Sequence, residues 1–140
     1  MPISEAHAGR SYPPTPVYEV TALKIAEFAA ALGDDNPAYY GDVPVAPPTF
    51  AAILAGAAWQ GMFADPELGL ELGRIVHGDQ RFTYSRPLRA GDRVTAILTI
   101  DKVRIRGAAE IISSAVDVRD ASDELTCIAA ATFVHTREAA

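Results

Sequence analysis

The residues best suited to chemistry begin with a short acidic turn, Gly33-Asp34-Asp35-Asn36-Pro37, which is followed by Tyr39. Carboxylates and imidazoles are the side chains that most often move protons in general acid–base catalysis. A phenol, with a reference pKa of about 10, is a much weaker proton carrier near neutral pH than an imidazole. The same residues also suit a helix end with an Asx turn, which requires no catalytic role for Asp34. Both interpretations of Asp34 stay open.

The chain contains three histidines, and His77 is the one that lies near a predicted pocket. His77 is either a polar side chain bonded to a backbone group or a candidate proton carrier. Strand alternation predicts His77 and Asp79 on one face of a strand and Gln80 on the other, unless Gly78 introduces a bulge. The other two histidines lie near the chain ends and are assigned no functional role: His7 and His135.

Composition limits the protein to one domain and excludes several classes of partner. The 140 residues are 49% hydrophobic, which is enough for one substantial core. Prolines predict an extended N-terminal arm over residues 1–16, followed by a single domain over 17–140. The net charge of −6, with scattered Lys and Arg, predicts no nucleic-acid partner and no membrane surface. The apolar setting of Cys127 and the lack of a leader predict a cytoplasmic protein.

Two helices are predicted before the strands begin. The first follows Thr21 as its cap and ends at Gly33. The second follows two prolines, with Thr49 as its cap, and continues to Phe63. Because residues 50–63 contain no charged side chain, this second helix must be enclosed by protein, and it is too short to span a bilayer.

Period-two patterns predict four long strands over residues 75–87, 93–106, 109–119 and 124–136. One apolar helix followed by long strands predicts an α+β protein in which an antiparallel sheet wraps around the helix, the hotdog fold. Such a sheet leaves an edge and a helix flank uncovered, so we expect at least a dimer.

Three segments resemble the MaoC-like hydratases and dehydratases, and the resemblance covers nearly the whole chain. Residues 33–39 resemble the hydration signature Gly-Asp-x-Asn-Pro-x-His, with Tyr39 at the position of the family histidine. The helix start at residues 45–50 and the string from His77 to Asp92 are similar to the N-terminal-type dehydratase branch. That branch includes accessory subunits of heteromeric (3R)-hydroxyacyl-ACP dehydratases, which often lack the aspartate–histidine pair.

The resemblance implies that the chain hydrates a trans-2-enoyl thioester or dehydrates a (3R)-3-hydroxyacyl thioester. Asp34 is then the candidate catalytic carboxylate, and His77 is a weaker candidate for the missing imidazole. The thioester oxygen would be bound by backbone N–H groups at Thr49, Phe50 and Ala51. Candidate residues of the acyl channel, each of which could instead be a core residue, are Asn36, Phe50, Ile53, Leu54, Trp59 and Gln80.

Three hypotheses about function follow. In the first, the chain is a hydratase or dehydratase subunit that needs a partner with the catalytic histidine. In the second, it is a self-sufficient homodimeric hydratase that uses Asp34 and His77. In the third, it is a non-catalytic protein that binds acyl-CoA or an acyl-carrier-protein thioester. A hotdog thioesterase is disfavoured because residues 50–63 contain no carboxylate. We expect a homodimer, or a heterodimer with a dyad-bearing MaoC-like subunit, and no metal or cofactor.

Overall fold

A single antiparallel sheet forms most of the protein. The computed structural model describes residues 2–138, so residues 1, 139 and 140 of the predicted arm and domain lie outside the described residues. The strand order is β1-β3-β4-β5-β2, and all neighbouring strands are antiparallel. The strands are β1 (Tyr18–Glu19), β2 (Ile75–Tyr84), β3 (Arg93–Arg106), β4 (Ala109–Arg119) and β5 (Leu125–Thr136).

The two helices are α1 (Ala22–Leu32) and α2 (Ala51–Phe63). Thr21 caps α1 as predicted, because its side chain accepts the N–H of Lys24, and Gly33 ends the helix with a left-handed φ of 70°. The prediction that Thr49 caps α2 is wrong. Phe50 is the residue at the cap position, and no side chain bonds to the first turn from there. A turn closed by the Phe50 N–H and the Pro47 carbonyl, 2.9 Å apart, starts this helix instead.

The helix α2 is enclosed by the sheet. Its buried residues include Leu54, Ala55 and Met62, and they share one core with alternate residues of β3, β4 and β5. Members of this core that are almost fully buried include Leu98, Ile112 and Phe133. Because α2 has no polar face, only such enclosure stabilises it. This is the predicted hotdog architecture, and the α+β fold class is confirmed.

Residues 9–15 run along the edge of β3 that the short strand β1 leaves uncovered. The N–H groups of Gly9, Tyr12 and Thr15 donate to carbonyls of β3 over 2.7, 3.0 and 3.0 Å. The phenol of Tyr12 also donates to Asp65 Oδ2 over 2.7 Å, just after α2 ends. This segment therefore covers one edge of the sheet and leaves β2 as the open edge. The domain boundary at residue 16 stays a prediction.

None of the helices within residues 2–138 is long and apolar enough to cross a membrane.

Candidate functional site

Asp34 lies in a turn directly after α1. Its N–H donates to the Ala29 carbonyl over 3.0 Å, and its Oδ1 accepts the N–H of Asn36 over 3.1 Å. The Asn36 side chain in turn accepts the N–H of Ala38 over 3.0 Å. Asp34 is half-buried. Because its Oδ1 accepts the Asn36 N–H, at least one carboxylate oxygen stabilises the turn. Asn36 likewise acts as a cap in this structure.

Tyr39, at the position of the family histidine, is a core residue with 7% of its surface exposed. The neighbouring Tyr40 is 49% exposed, and its hydroxyl donates to the Asp34 carbonyl over 3.1 Å. The side chain that replaces the histidine thus faces the hydrophobic core. A phenol buried in that setting is poorly placed to exchange protons with a substrate.

Each of the three imidazoles is bound away from Asp34. His7 Nδ1 accepts the N–H of Ser4, and His77 Nε2 lies 3.1 Å from Gln80 Oε1. His135 Nδ1 lies 2.6 Å from Glu110 Oε1. Within residues 2–138, none of these imidazoles is bonded to the Asp34 carboxylate. The described chain therefore places no aspartate–histidine pair at the turn that resembles the hydration signature.

The bulge at Gly78 changes which residues share a face on β2. The pairing with β5 shifts register between His77 and Asp79, so His77 and Gln80 lie together, contrary to simple alternation. The indole of Trp59 packs edge-on against His77, with ring centroids 5.1 Å apart. Trp59 Nε1 is buried and has no hydrogen-bond partner within residues 2–138. The structure therefore joins three predicted site residues at the open edge of the sheet.

The backbone donors at the start of α2 are largely engaged by the chain itself. The Phe50 N–H bonds to the Pro47 carbonyl, and the Tyr84 hydroxyl donates to the Pro48 carbonyl. Burial raises the pKa of the Tyr84 phenol, the neighbouring Cys127 raises it further, and the Ala51 N–H acts in the opposite direction. The Ala51 N–H thus lies near the Tyr84 oxygen. Thr49 is exposed at the same end.

A half-open apolar slot lies between residues 15–18 and α2. Its volume is about 260 Å³, and two predicted channel residues, Ile53 and Leu54, line it. A second cleft of about 310 Å³ adjoins Tyr84 and Pro48. A larger cleft, about 840 Å³, lies beside the N-terminal residues and Arg137 and is lined by none of the predicted site residues.

The other predicted channel residues lie outside the slot. Phe50 is fully buried and packs against Phe28, with ring centroids 5.4 Å apart. Asn36, Trp59 and Gln80 do not line the slot. Within residues 2–138, no cluster of histidine, cysteine or carboxylate side chains is arranged to hold a metal ion.

Sequence reasoning missed a buried charged cluster formed by Glu110, His135 and Arg137. Glu110 is fully buried, and its Oε2 accepts the Arg137 Nε–H over 2.9 Å. The Glu71 N–H donates to His135 Nε2 over 3.1 Å, which leaves the proton of a neutral ring on Nδ1, facing Glu110. Glu110 and His135 are direct partners in the β4–β5 ladder, so only the strand register could have revealed the pair.

Comparisons with known proteins extend over most of the chain. Residues 6–129 match a family profile described as FAS1-like, dehydratase domain region. A UPF0336 protein of Cutibacterium acnes is 50% identical over 137 residues, which cover 98% of this chain and 96% of that protein.

Two solved structures share the fold. A chain of the HadBC (3R-hydroxyacyl-ACP dehydratase) complex of Mycobacterium tuberculosis is 30% identical, with a TM-score of 0.79 over 91% of this chain and 96% of that chain. A MaoC-like dehydratase is 24% identical, with a TM-score of 0.85 over 95% of this chain and 43% of that longer chain.

Proposed function

Because this chain belongs to the FAS1-like dehydratase family of MaoC-like hotdog proteins, we propose that it is one subunit of an acyl-thioester hydratase or dehydratase. The reaction adds water to a trans-2-enoyl thioester or removes it from a (3R)-3-hydroxyacyl thioester. In this proposal a second, dyad-bearing MaoC-like subunit supplies the catalytic histidine. The observation that carries the proposal is a signature carboxylate, Asp34, that has no imidazole bonded to it within residues 2–138.

The chemistry explains why a lone carboxylate is insufficient. Hydration of a conjugated thioester requires one group to deprotonate water and a second group to give a proton to the neighbouring carbon. Tyr39 is buried in the core, and its phenol is a poor proton donor near neutral pH. Asp34 is half-buried and can perform one of the two roles. An imidazole from another subunit completes the pair.

The start of α2 also supports a catalytic site that is shared between two subunits. The enolate-like oxygen of the transition state needs a preorganised N–H donor. The Phe50 N–H is bonded to Pro47, and the Ala51 N–H lies near the Tyr84 oxygen. Exposed Thr49 is the remaining predicted donor on this chain. We infer that groups of the second subunit provide most of the stabilisation of the thioester oxygen.

The open edge of the sheet offers a surface for that second subunit. The strand β2 pairs only with β5, so one row of its backbone groups has no strand partner within residues 2–138. Val76 on this strand is 65% exposed, and the nearby Trp59 Nε1–H has no acceptor in the described chain. Added backbone pairing would satisfy the exposed edge. The HadBC relative is itself part of a complex of dehydratase subunits.

The apolar slot suits the hydrocarbon tail of the substrate. Ile53, Leu54 and Ala57 of α2 form one wall, and residues 15–18 form the other. Bonds from Thr15 to the backbone of Ala96 hold that second wall in place, and Pro16 stiffens it further. A half-open slot of about 260 Å³ with apolar walls is suited to hold part of a hydrocarbon tail. We therefore propose an acyl thioester as substrate and a cytoplasmic location, in which the buried Cys127 stays reduced.

The proposal is tested by reconstitution. The chain is co-expressed with a MaoC-like subunit that has an intact aspartate–histidine pair, and the loss of conjugated enoyl-CoA absorbance is followed for short and medium acyl chains. We expect the complex to exceed the activity of either subunit alone. Replacement of the partner's signature histidine should abolish turnover, because that imidazole has no substitute on this chain.

Asp34 and Asp35 form a matched pair of variants. Asp34→Asn should reduce turnover of the complex at least about a hundredfold if Asp34 shares the acid–base work, whereas the adjacent exposed Asp35→Asn should not. Full activity of the Asp34→Asn complex would show that the partner supplies the whole pair. Acyl-CoA binding without turnover by any complex would favour the non-catalytic binding protein.

A further inference from the structure

The outer face of the sheet, which points away from α2, has a centre of small and apolar residues. Alternate residues of β4 and β5 that point toward α2 are buried, whereas those on the outer face are only half-buried. The ladder between the two strands places the outer residues in three adjacent pairs: Ile111 with Val134, Ser113 with Thr132, and Ala115 with Ala130. Small side chains in the middle of a sheet allow a second sheet to approach closely.

One rim of the outer face is formed by β2. Asp79 and Arg81 extend the same rows, because Asp79 pairs with Thr132 and Arg81 pairs with Ala130. Both side chains are exposed, and neither forms an ion pair within residues 2–138. The row beside Thr132 thus ends in a negative charge, and the row beside Ala130 ends in a positive charge.

The opposite rim is formed by β3 and has the reverse order of charge. Lys102 pairs with Ser113, and the bulge between Ile100 and Lys102 adds Asp101 to the same face, toward the row of Ala115. Partial burial of the Asp101 carboxyl group raises its pKa, and the Asp117 carboxylate raises this pKa further. Asp117 lies on the outer face of β4, so its influence agrees with the placement of Asp101 on the same face. Asp101 and Lys102 are both exposed and form no ion pair in the described part of the chain.

We propose that two copies of this chain associate back to back through the outer face, about a two-fold axis that runs parallel to the strands between β4 and β5. Rotation about this axis places the β2 rim of one copy opposite the β3 rim of the other. Residues at the same height along the strands then face each other. Asp79 then faces Lys102 of the second copy, and Arg81 faces Asp101. Because the contact is isologous, each of these ion pairs forms twice.

The geometry of twisted sheets predicts a weak, reversible association. Four strands about 4.8 Å apart and three rows of side chains about 6.8 Å apart give a footprint on the order of 400 Å² per copy. That area lies at the low end for specific interfaces, so the complex should be transient and sensitive to salt. Since aligned sheets diverge toward their corners, the long Arg and Lys side chains are suited to bridge the rims.

The proposal is independent of the function proposed above, because it uses neither Asp34 nor the backbone edge of β2. If a second, dyad-bearing subunit occupies the β2 edge, the outer face would join two of the resulting heterodimers. Its failure would therefore leave the hydratase proposal unchanged, and failure of the hydratase proposal would leave this interface unchanged.

Charge reversal tests the predicted pairing by analytical ultracentrifugation of the full chain over a range of concentrations. We expect association in low salt that weakens in about 1 M salt, where the screening length is about 3 Å. Asp79→Lys and Lys102→Asp should each weaken association about tenfold, because each reversal places like charges together twice. The double variant should return to within about threefold of the wild type. Asp42→Lys, an equal change of charge in an exposed loop, is the control.

A thiol crosslinking experiment tests the axis directly. Thr132 of one copy faces Ser113 of the other across about 10 Å, the usual distance between packed sheets, which is too long for a disulfide. A short bis-maleimide should therefore crosslink a mixture of the Thr132→Cys and Ser113→Cys proteins faster than either protein alone. Thermal melts confirm that each variant is folded. A wild-type chain that stays monomeric at every concentration would overturn the proposal. So would association that is unaffected by Lys102→Asp, or equal crosslinking in the mixed and unmixed samples.

Discussion

The substitution Glu110→Gln tests whether the buried charged cluster stabilises the fold. Glu110 is fully buried and accepts from both His135 and Arg137. Glutamine keeps the size of the side chain and can still accept the His135 Nδ1–H. Its NH₂ group, however, then faces the N–H groups of Arg137. The variant therefore replaces an ionic hydrogen bond with a contact between donors.

The magnitude follows from the burial of the two partners. Loss of one member of a fully buried ion pair costs about 3 to 5 kcal/mol. The Arg137 side chain is 40% exposed, however, so it can turn toward water and recover part of that cost. We expect a loss of about 2 to 3 kcal/mol in the free energy of unfolding. For a chain of 140 residues, that loss corresponds to a decrease of about 7 to 10 °C in Tm.

Urea denaturation followed by circular dichroism measures this change, with Glu138→Gln as the matched control. Glu138 is 72% exposed and lies 3.8 Å from Arg74, so its neutralisation should leave the unfolding midpoint unchanged. A Glu110→Gln protein within about 0.5 kcal/mol of the wild type would show that the buried ionic hydrogen bond does not stabilise the fold. Equal effects of the two variants would lead to the same conclusion.

Three further predictions concern packing, pH and thiol reactivity. Gly56→Ala should increase the free energy of unfolding by about 0.5 to 1 kcal/mol in urea melts, because a Cβ at residue 56 meets no atom within 4 Å. Gly61→Ala is the control, since a Cβ at residue 61 would lie 3.3 Å from the Tyr12 ring and this stabilisation should be lost. The hydrogen bond from Tyr12 holds the pKa of Asp65 below its ordinary value of 3.8, and bonds from Arg10 contribute. Since the folded pKa is the lower one, this stabilisation is present above pH 3.8 and is lost as the pH falls further. Urea midpoints in acid should therefore decline more for the wild type than for Tyr12→Phe, and parallel declines would contradict this. Burial raises the pKa of Cys127 to about 11, so a thiol reagent at pH 8 should label the native chain far more slowly than the urea-unfolded chain.

Local sequence patterns were sufficient to predict the four long strands and α1, although β2 ends at Tyr84 and not at residue 87, and the short strand β1 was not predicted. The strands β3 and β4 begin and end where the period-two pattern predicts, since alternate residues are buried against α2. Thr21 and Gly33 define the ends of α1 through bonds to their own neighbours. The fold class followed because an uncharged helix must be enclosed by protein, and the four long strands predicted after it supply the enclosing sheet.

The remaining features depend on distant parts of the chain. The start of α2 is organised by Pro47 and by Tyr84, which is far away in sequence, so the local preference of Thr49 for a cap position was misleading. The shared face of His77 and Gln80 results from a bulge that sequence alternation alone does not locate. Sequence correctly placed Asp34 at a helix end, but which side chains surround it depends on tertiary structure and on any partner.

The hydratase activity of the purified chain alone tests most sharply whether Asp34 lacks an imidazole partner on its own chain. The measurement is the loss of enoyl-CoA absorbance with crotonyl-CoA and a medium-chain substrate, compared with the Asp34→Asn protein. We predict that the isolated chain and Asp34→Asn both show no turnover above the uncatalysed rate. Turnover by the isolated chain that disappears in Asp34→Asn would show that a residue of this same chain completes the catalytic pair with Asp34.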